Sequence, residues 1–336
     1  MNRLSSRNKR NLTIVCLFII PGIIISAFCF SDNKETVTSN TLSNRNADET
    51  TKAVYAYLAS LQGNQVLSAQ QESTWMGSDD YEMQYIYDCS GKYPAMRGLD
   101  YMNDDFDGVN KRAVAWWKKG GLVTICWHTG AGFSGAWEDA MKDEVSDWDA
   151  MFTDGTAENK AMLDGMDKAA KALSELQKAG VTVIWRPFHE LDGRWFWWGK
   201  GGSKNFIRLW QTMYDRYTND WHLNNLIWVL GYSHNGKGYQ KWYPGDNYCD
   251  IIGADSYDGG AQPKLYKKVS RVNKANKPMC FHECGANPTA DELKETPWLW
   301  FMTWHTEYLT DNNDKIAIQE LYNSDYVITL DEIKYH

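Results

Sequence analysis

Eight short apolar stretches recur between residues 66 and 303, each separated from the next by a segment long enough to hold a helix. They cover residues 66–70, 95–100, 122–127, 181–185, 226–230, 251–254, 279–282 and 299–303. The third, Leu-Val-Thr-Ile-Cys-Trp, is almost wholly apolar, as a parallel strand covered on both faces must be. Helical periodicity appears at 54–61, 83–87, 111–118, 161–179, 206–217, 264–276 and 306–322, and Gly180 supplies a C-cap for the fourth. Strand–helix alternation repeated eight times predicts an α/β chain closed into a single (β/α)8 TIM barrel over residues 52–336. A barrel of ~250 residues plus insertions fits that length. An open doubly wound sheet is the runner-up, but no Gly-rich phosphate loop follows the first strand.

The residues before the barrel carry different signals. Arg3, Arg7, Lys9 and Arg10 precede an apolar run from Leu12 to Phe30, so residues 1–31 read as an export leader. The run of ~19 residues is also near the length of a bilayer span, which leaves an uncleaved N-terminal anchor open. Cys29, followed by Ser31, Asp32 and Glu35, resembles a lipoprotein attachment cysteine, although Phe28 stands where a small residue is usual. Cleavage near Ser31 is the alternative. Residues 32–51 are polar and aperiodic and read as a flexible tether. The expectation is an exported protein, whether secreted, periplasmic or a cell-surface lipoprotein, touching membrane only through this terminus.

Composition narrows the partners. The net charge of −8, with no basic patch among the aromatics, argues against nucleic acid. The 17 Trp and 19 Tyr suit either a Trp-rich core or a glycan site, because an indole offers a flat apolar face and a polar edge together. Cys16 and Cys29 lie in the leader, and Cys89, Cys126, Cys249, Cys280 and Cys284 in the remainder, at spacings that match no zinc motif. They read as core residues, with Cys280 and Cys284 on one face of a strand. There is no EF-hand pattern and no metal-ligand spacing, so neither cofactor nor metal is expected. A monomer is expected.

In such a barrel chemistry sits where the strands end. Here those ends pass straight into polar or ionisable residues: Trp127-His128, Arg186-Pro187-Phe188-His189-Glu190, Asp255-Ser256-Tyr257-Asp258, His282-Glu283 and Trp304-His305. Glu190 and Glu283 are 93 residues apart, the span of about three βα units. Acetal hydrolysis needs one carboxyl to protonate the leaving oxygen and another to attack the anomeric carbon. A single Glu at a strand end is more often a hydrogen-bonded structural residue; the pair in an aromatic frame is what points to chemistry. Strand alternation predicts that His282 faces away from Glu283. Asp192 and Asp258 read as solvated or capping loop residues, and Trp197 and Trp198 as packing.

Residues 185–199, WRPFHELDGRWFWWG, resemble the acid/base signature of glycoside hydrolase family 26, mostly endo-β-1,4-mannanases. The segment FHECG around Glu283 is similar to that family's nucleophile strand, and PWLWFMTWH, residues 297–305, to its last strand. The resemblance runs from about Val54 to the C-terminus. It implies a retaining hydrolase with Glu190 as acid/base and Glu283 as nucleophile. It implies that His189, where the wider clan has Asn, bonds a substrate hydroxyl or orients Glu190, and that Tyr257 donates to Glu283. His128 matches a substrate-contacting residue, Trp195 a platform beside the cleavage point, Trp304 a platform under the distorted sugar, and Arg186 a buried holder of carboxylates. The implied substrate is β-1,4-mannan or a related plant polysaccharide. Activity on β-1,3-xylan or mixed-linkage glucan, or a non-catalytic surface glycan-binding role, are the competing readings. The two glutamates with His189 and Tyr257 weigh against the last, since a binder needs no nucleophile. Endo or exo action turns on loops 129–156 and 233–248.

Overall fold

The computed structural model describes residues 41–335. The expected leader, with Cys16 and Cys29, and residues 32–40 of the expected tether lie outside the described residues. Eight parallel strands form one sheet: β1 (Val66–Gln71), β2 (Met96–Asp100), β3 (Leu122–Cys126), β4 (Val183–Arg186), β5 (Leu226–Ser233), β6 (Ile251–Ser256), β7 (Met279–Cys284) and β8 (Trp300–Thr303). Each pairs with the next, and β1 pairs with both β8 and β2, which closes the ring. The chain is therefore a (β/α)8 barrel, with its strands where the apolar stretches predict them. At their C-terminal ends β5, β6 and β7 run two to three residues further than the apolar stretches. The ladder needs only backbone groups there, so it continues past the apolar residues. A two-residue β9 (Val327–Ile328), too short to leave a pattern, pairs with the start of β1.

Helices α1 (Glu49–Leu61), α2 (Tyr81–Ser90), α3 (Phe106–Lys118), α4 (Trp137–Lys142), α5 (Trp148–Met151), α6 (Ala157–Lys178), α7 (Trp197–Lys200), α8 (Gly202–Asp215), α9 (Pro263–Ser270), α10 (Ala290–Glu295), α11 (Glu307–Thr310) and α12 (Lys315–Tyr322) complete the chain. The connection from β5 to β6 holds no α-helix, only the short turns Tyr239–Trp242 and Asp246–Tyr248.

Strand alternation divides the apolar residues into two layers. Leu67, Met96, Leu122, Ile184, Ile227, Ile251, Cys280 and Trp300 fill the barrel, joined by Val54, Leu58 and Leu61 of α1. Val66, Leu99, Ile125, Trp185, Trp228, Phe281 and Phe301 face outward against helix residues such as Trp116, Leu173 and Trp210. Asp48 caps α1 by accepting from Thr51 N at 2.7 Å. Residues 41–48, expected as tether, instead pack on the barrel: Leu42 and Ala47 are buried and Ser43 N donates to Asp250 at 2.6 Å.

One irregularity shapes the mouth. Ala254 of β6 pairs with Phe281, but Asp255 pairs with Glu283, so His282 is an extra residue in β7. This bulge reverses the alternation. Cys280 consequently lies in the inner layer and Cys284 in the outer one, not on one face as the spacing predicts. His282 and Glu283 both enter the barrel, which corrects the expectation that His282 faces away.

Candidate active site

Just past β4 the backbone takes an unusual path. Phe188 and Glu190 both have φ 51°, a region costly for residues with a Cβ and found where a site is held by its surroundings. Three indoles do the holding. Trp198 Nε1 donates to His189 O at 2.8 Å, Trp197 Nε1 to Thr129 O at 2.8 Å, and Trp195 Nε1 to the Glu190 carboxylate at 2.6 Å. Trp197 and Trp198 are buried, as expected of packing residues, and they also fix two strand ends. Asp192 is not solvated: it is buried and accepts from Ser233 N and Oγ at 2.9 and 3.1 Å. The loop conformation that turns it inward has no sequence signature. Asp258 is exposed.

Glu283 is buried and bonded on both oxygens. Arg186 Nη1 donates to Oε1 at 2.8 Å, and the Tyr257 hydroxyl donates to Oε2 at 2.9 Å. Arg186 sits inside the barrel and also donates to Thr124 Oγ1 at 2.9 Å and Gln71 Oε1 at 3.2 Å. Its Nη1 lies 3.1 Å from Nε2 of His282, whose Nδ1 is 2.6 Å from Asp255 Oδ1. A guanidinium only donates, so Nε2 of His282 accepts and Nδ1 carries the proton toward Asp255. Gly231 of β5 leaves the space that the His282 ring occupies. His282 was not expected to reach this cluster, because the β7 bulge brings it there; Asp255 follows the inward parity of Ile251 on β6.

His189 is buried, with Nε2 3.6 Å from Glu283. His128 meets it edge to face at 4.7 Å between ring centres. Asp100 holds His128, accepting from its backbone N at 3.0 Å and contacting Nδ1 at 2.5 Å. Asp100 was not singled out from the sequence, although it shares the inward parity of Met96 on β2. Trp304 and Tyr257 stand partly exposed at the mouth. Together with Glu190, Glu283, His128, His189 and Trp195 they line one cleft of about 960 Å³, at the upper end for small-ligand sites and suited to several sugar rings. Exposed Trp75, on a loop, and Trp137, the first residue of the short helix α4, mark its walls.

The two glutamates occupy different fields. Burial, then the charge of Glu283, pushes the Glu190 carboxyl up to about 8, against the opposing Trp195 bond. Burial alone would raise Asp100, but His128 outweighs it and brings the carboxyl down to about 2. His128 answers in kind: burial disfavours its charge, and Asp100 more than compensates, raising it. Burial, then His128 and Arg186, drives His189 well below its usual range, so it is neutral. Burial and the two glutamates lift Asp255 well above the carboxylate range. Ligand-type atoms come within 4.8 Å in Asp100–Cys126–His128, His189–Glu190–Asp255 and Asp255–His282–Glu283. The first and third are tied by hydrogen bonds, and the Arg186 cation beside the third opposes a metal ion. Among the described residues the five cysteines are free, and all but Cys89 are buried.

A family model described as "Glycosyl hydrolase family 26" matches residues 43–332, nearly all of the described chain. The chain belongs to glycosyl hydrolase family 26. Among curated relatives of this family 26 chain, a mannan endo-1,4-beta-mannosidase of Thermothelomyces thermophilus is 33% identical over 323 residues, 88% of this chain and 64% of that one. A mannan endo-1,4-beta-mannosidase of Bacillus subtilis is 27% identical over 364 residues, 97% of this chain and 96% of that one. The chain spans less than two thirds, 50 to 64%, of the length of four curated relatives, from Thermothelomyces, Caldalkalibacillus and Piromyces. Among solved structures, the beta-mannanase from a symbiotic protist of the termite Reticulitermes speratus superposes with a TM-score of 0.82 at 29% identity, covering 89% of this chain and 99% of that one. A GH26A from Muricauda sp. gives 0.81 at 33%, covering 87% and 99%.

Proposed function

We propose that the chain is a retaining endo-acting β-mannanase, cleaving internal β-1,4-mannosidic bonds of mannan-type polysaccharides by double displacement. The observation that carries the chemistry is the asymmetry of the two carboxyls. Glu190 holds its proton to about 8, while Glu283 is bonded by a guanidinium and a phenol. Two titratable groups whose surroundings separate them in this way divide into acid and nucleophile. Glu283 attacks the anomeric carbon as Glu190 protonates the departing oxygen; Glu190 then removes a proton from the water that releases the glycosyl-enzyme. His128, His189, Trp195 and Trp304 line the cleft where sugar hydroxyls and ring faces pass. Neutral His189, 3.6 Å from Glu283, can bond a hydroxyl beside the attacked carbon.

Mannan as substrate is supported by the likeness to named mannanases over most of this chain. Endo action is supported by the size of the cleft and its run past Trp75 and Trp137. Product analysis tests both. Locust bean mannan and glucomannan should yield a ladder of oligosaccharides, with xylan and lichenan nearly inert. Release of monosaccharide alone, or preferred cleavage of lichenan or xylan, would replace this reading.

Tyr257 offers a finer test. A hydrogen bond to a carboxylate contributes ~1.5–3 kcal/mol, so Tyr257→Phe should lower turnover by about ten- to a hundred-fold. Loss of that donor leaves the attacking oxygen less firmly aimed, so the loss should fall on kcat more than on KM. An unchanged kcat would remove Tyr257 from the machinery and leave the two glutamates in place.

A further inference from the structure

Where β5 and β6 end, Tyr257 serves the nucleophile, but a second cleft-facing side chain has no role in the chemistry above. It is His234, directly after the last residue of β5. His234 Nε2 stands 3.8 Å from Oδ2 of Asp258, which follows Tyr257 after the end of β6. That gap is too long for the two to bond each other. It does let a single hydroxyl, ~2.8 Å from each, bond both, accepting from the imidazole N–H and donating to the carboxylate.

The segment is aimed before any sugar arrives. Asp192 anchors Ser233 by its backbone N and its hydroxyl. Lys268 Nζ donates to His234 O at 3.2 Å and to Gly236 O, and sits 4.1 Å over the Tyr239 ring. Gly236 packs so tightly on Asp192 that a Cβ there would strike the carboxylate. A contact ordered in this way loses little freedom on binding.

Position along the glycan follows from Glu190. The proton donor must stand beside the leaving oxygen, and β5 is the strand next to the one that delivers it; Leu191 N donates to Gly231 O of β5 at 3.4 Å. We propose that His234, with Asp258 behind it, is the specificity-determining contact for the first sugar of the leaving chain, a hexopyranose hydroxyl bridging the two side chains. This rests on the glycosidase reading above.

A comparison of two substrates tests it. Mannotetraose places sugar on both sides of the cleaved bond, whereas an activated aryl β-mannobioside has no sugar in its leaving group. His234→Ala should lower kcat/KM for mannotetraose about tenfold, the scale of one lost hydrogen bond, and leave the aryl substrate within about twofold. The aryl rate also reports that the variant is folded. Gly236→Ala, which displaces the loop without touching the imidazole, should show the same split. Equal losses on both substrates, or no loss on mannotetraose, would overturn the assignment. Wild-type cleavage of mannotetraose tests the mannan reading separately; were it absent, the same ratio is read on the β-glycan oligosaccharide that the enzyme does cleave.

Discussion

Glu283→Ala removes turnover on mannan by about 10⁵-fold or more, while oligosaccharide binding and the melting temperature of the barrel change little. Loss of a covalent nucleophile abolishes the step rather than weakening it. The retained binding follows from the cleft, whose aromatic and histidine lining is intact. The substitution leaves Arg186 Nη1 and the Tyr257 hydroxyl facing a small void in the space where two hydrogen bonds stood. Azide fits that void and should restore cleavage of an activated aryl β-mannoside, giving the α-mannosyl azide by a single inversion. Ordinary mannan hydrolysis by this variant, or a β-azide from it, contradicts the assignment.

Glu190→Ala separates the two steps instead of stopping both. A general acid contributes typically 10²–10⁴-fold, so mannan hydrolysis should fall by about that much. A dinitrophenyl glycoside needs no proton on its leaving group, so its first step should persist. Its second step loses the base, and a burst of phenolate followed by a slow steady state is the expected trace. Azide should then give the β-mannosyl azide, the opposite product from that of Glu283→Ala. The pH profile carries the same information. Glu190 must be protonated in the free enzyme, and its carboxyl is raised to about 8, chiefly by burial and next by Glu283. Wild-type kcat/KM on mannan should hold below that pH and fall as the group ionises above it. With the activated substrate the Glu190→Ala variant should lack this alkaline limb. A limb that survives belongs to another group.

Much of this site was legible as parity along strands. Met96 and Asp100 on β2, Leu122 and His128 from β3, Ile251, Asp255 and Tyr257 from β6, and Trp300 and Trp304 from β8 each keep one inward face, apolar below and polar at the mouth. The sequence therefore shows which strand ends carry chemistry, and Asp100 could have been found by the same count. The β7 bulge could not. It arises from pairing with β6 and β8, and no glycine or proline in MCFHEC announces it. Its consequence is large, since His282 enters the barrel and links Arg186 to Asp255. Asp192 escaped for a related reason: its partner Ser233 lies 41 residues away on another strand end. Loops and the short helix α4 behave likewise, so Trp75, Trp137 and His234 become cleft residues only when the surrounding elements place them. The tether was misread at its end because Leu42 and Ala47 are too few to form a period, although both are buried.

Product stereochemistry tests the central claim most directly. Proton NMR of mannopentaose hydrolysis, followed within minutes of mixing, reads the anomer released before mutarotation. Attack by Glu283 followed by water activated by Glu190 inverts the anomeric carbon twice, so the β-anomer should appear first and the α-anomer grow in later. The α-anomer appearing first would mean a single displacement by water, and Glu283 would not be the nucleophile.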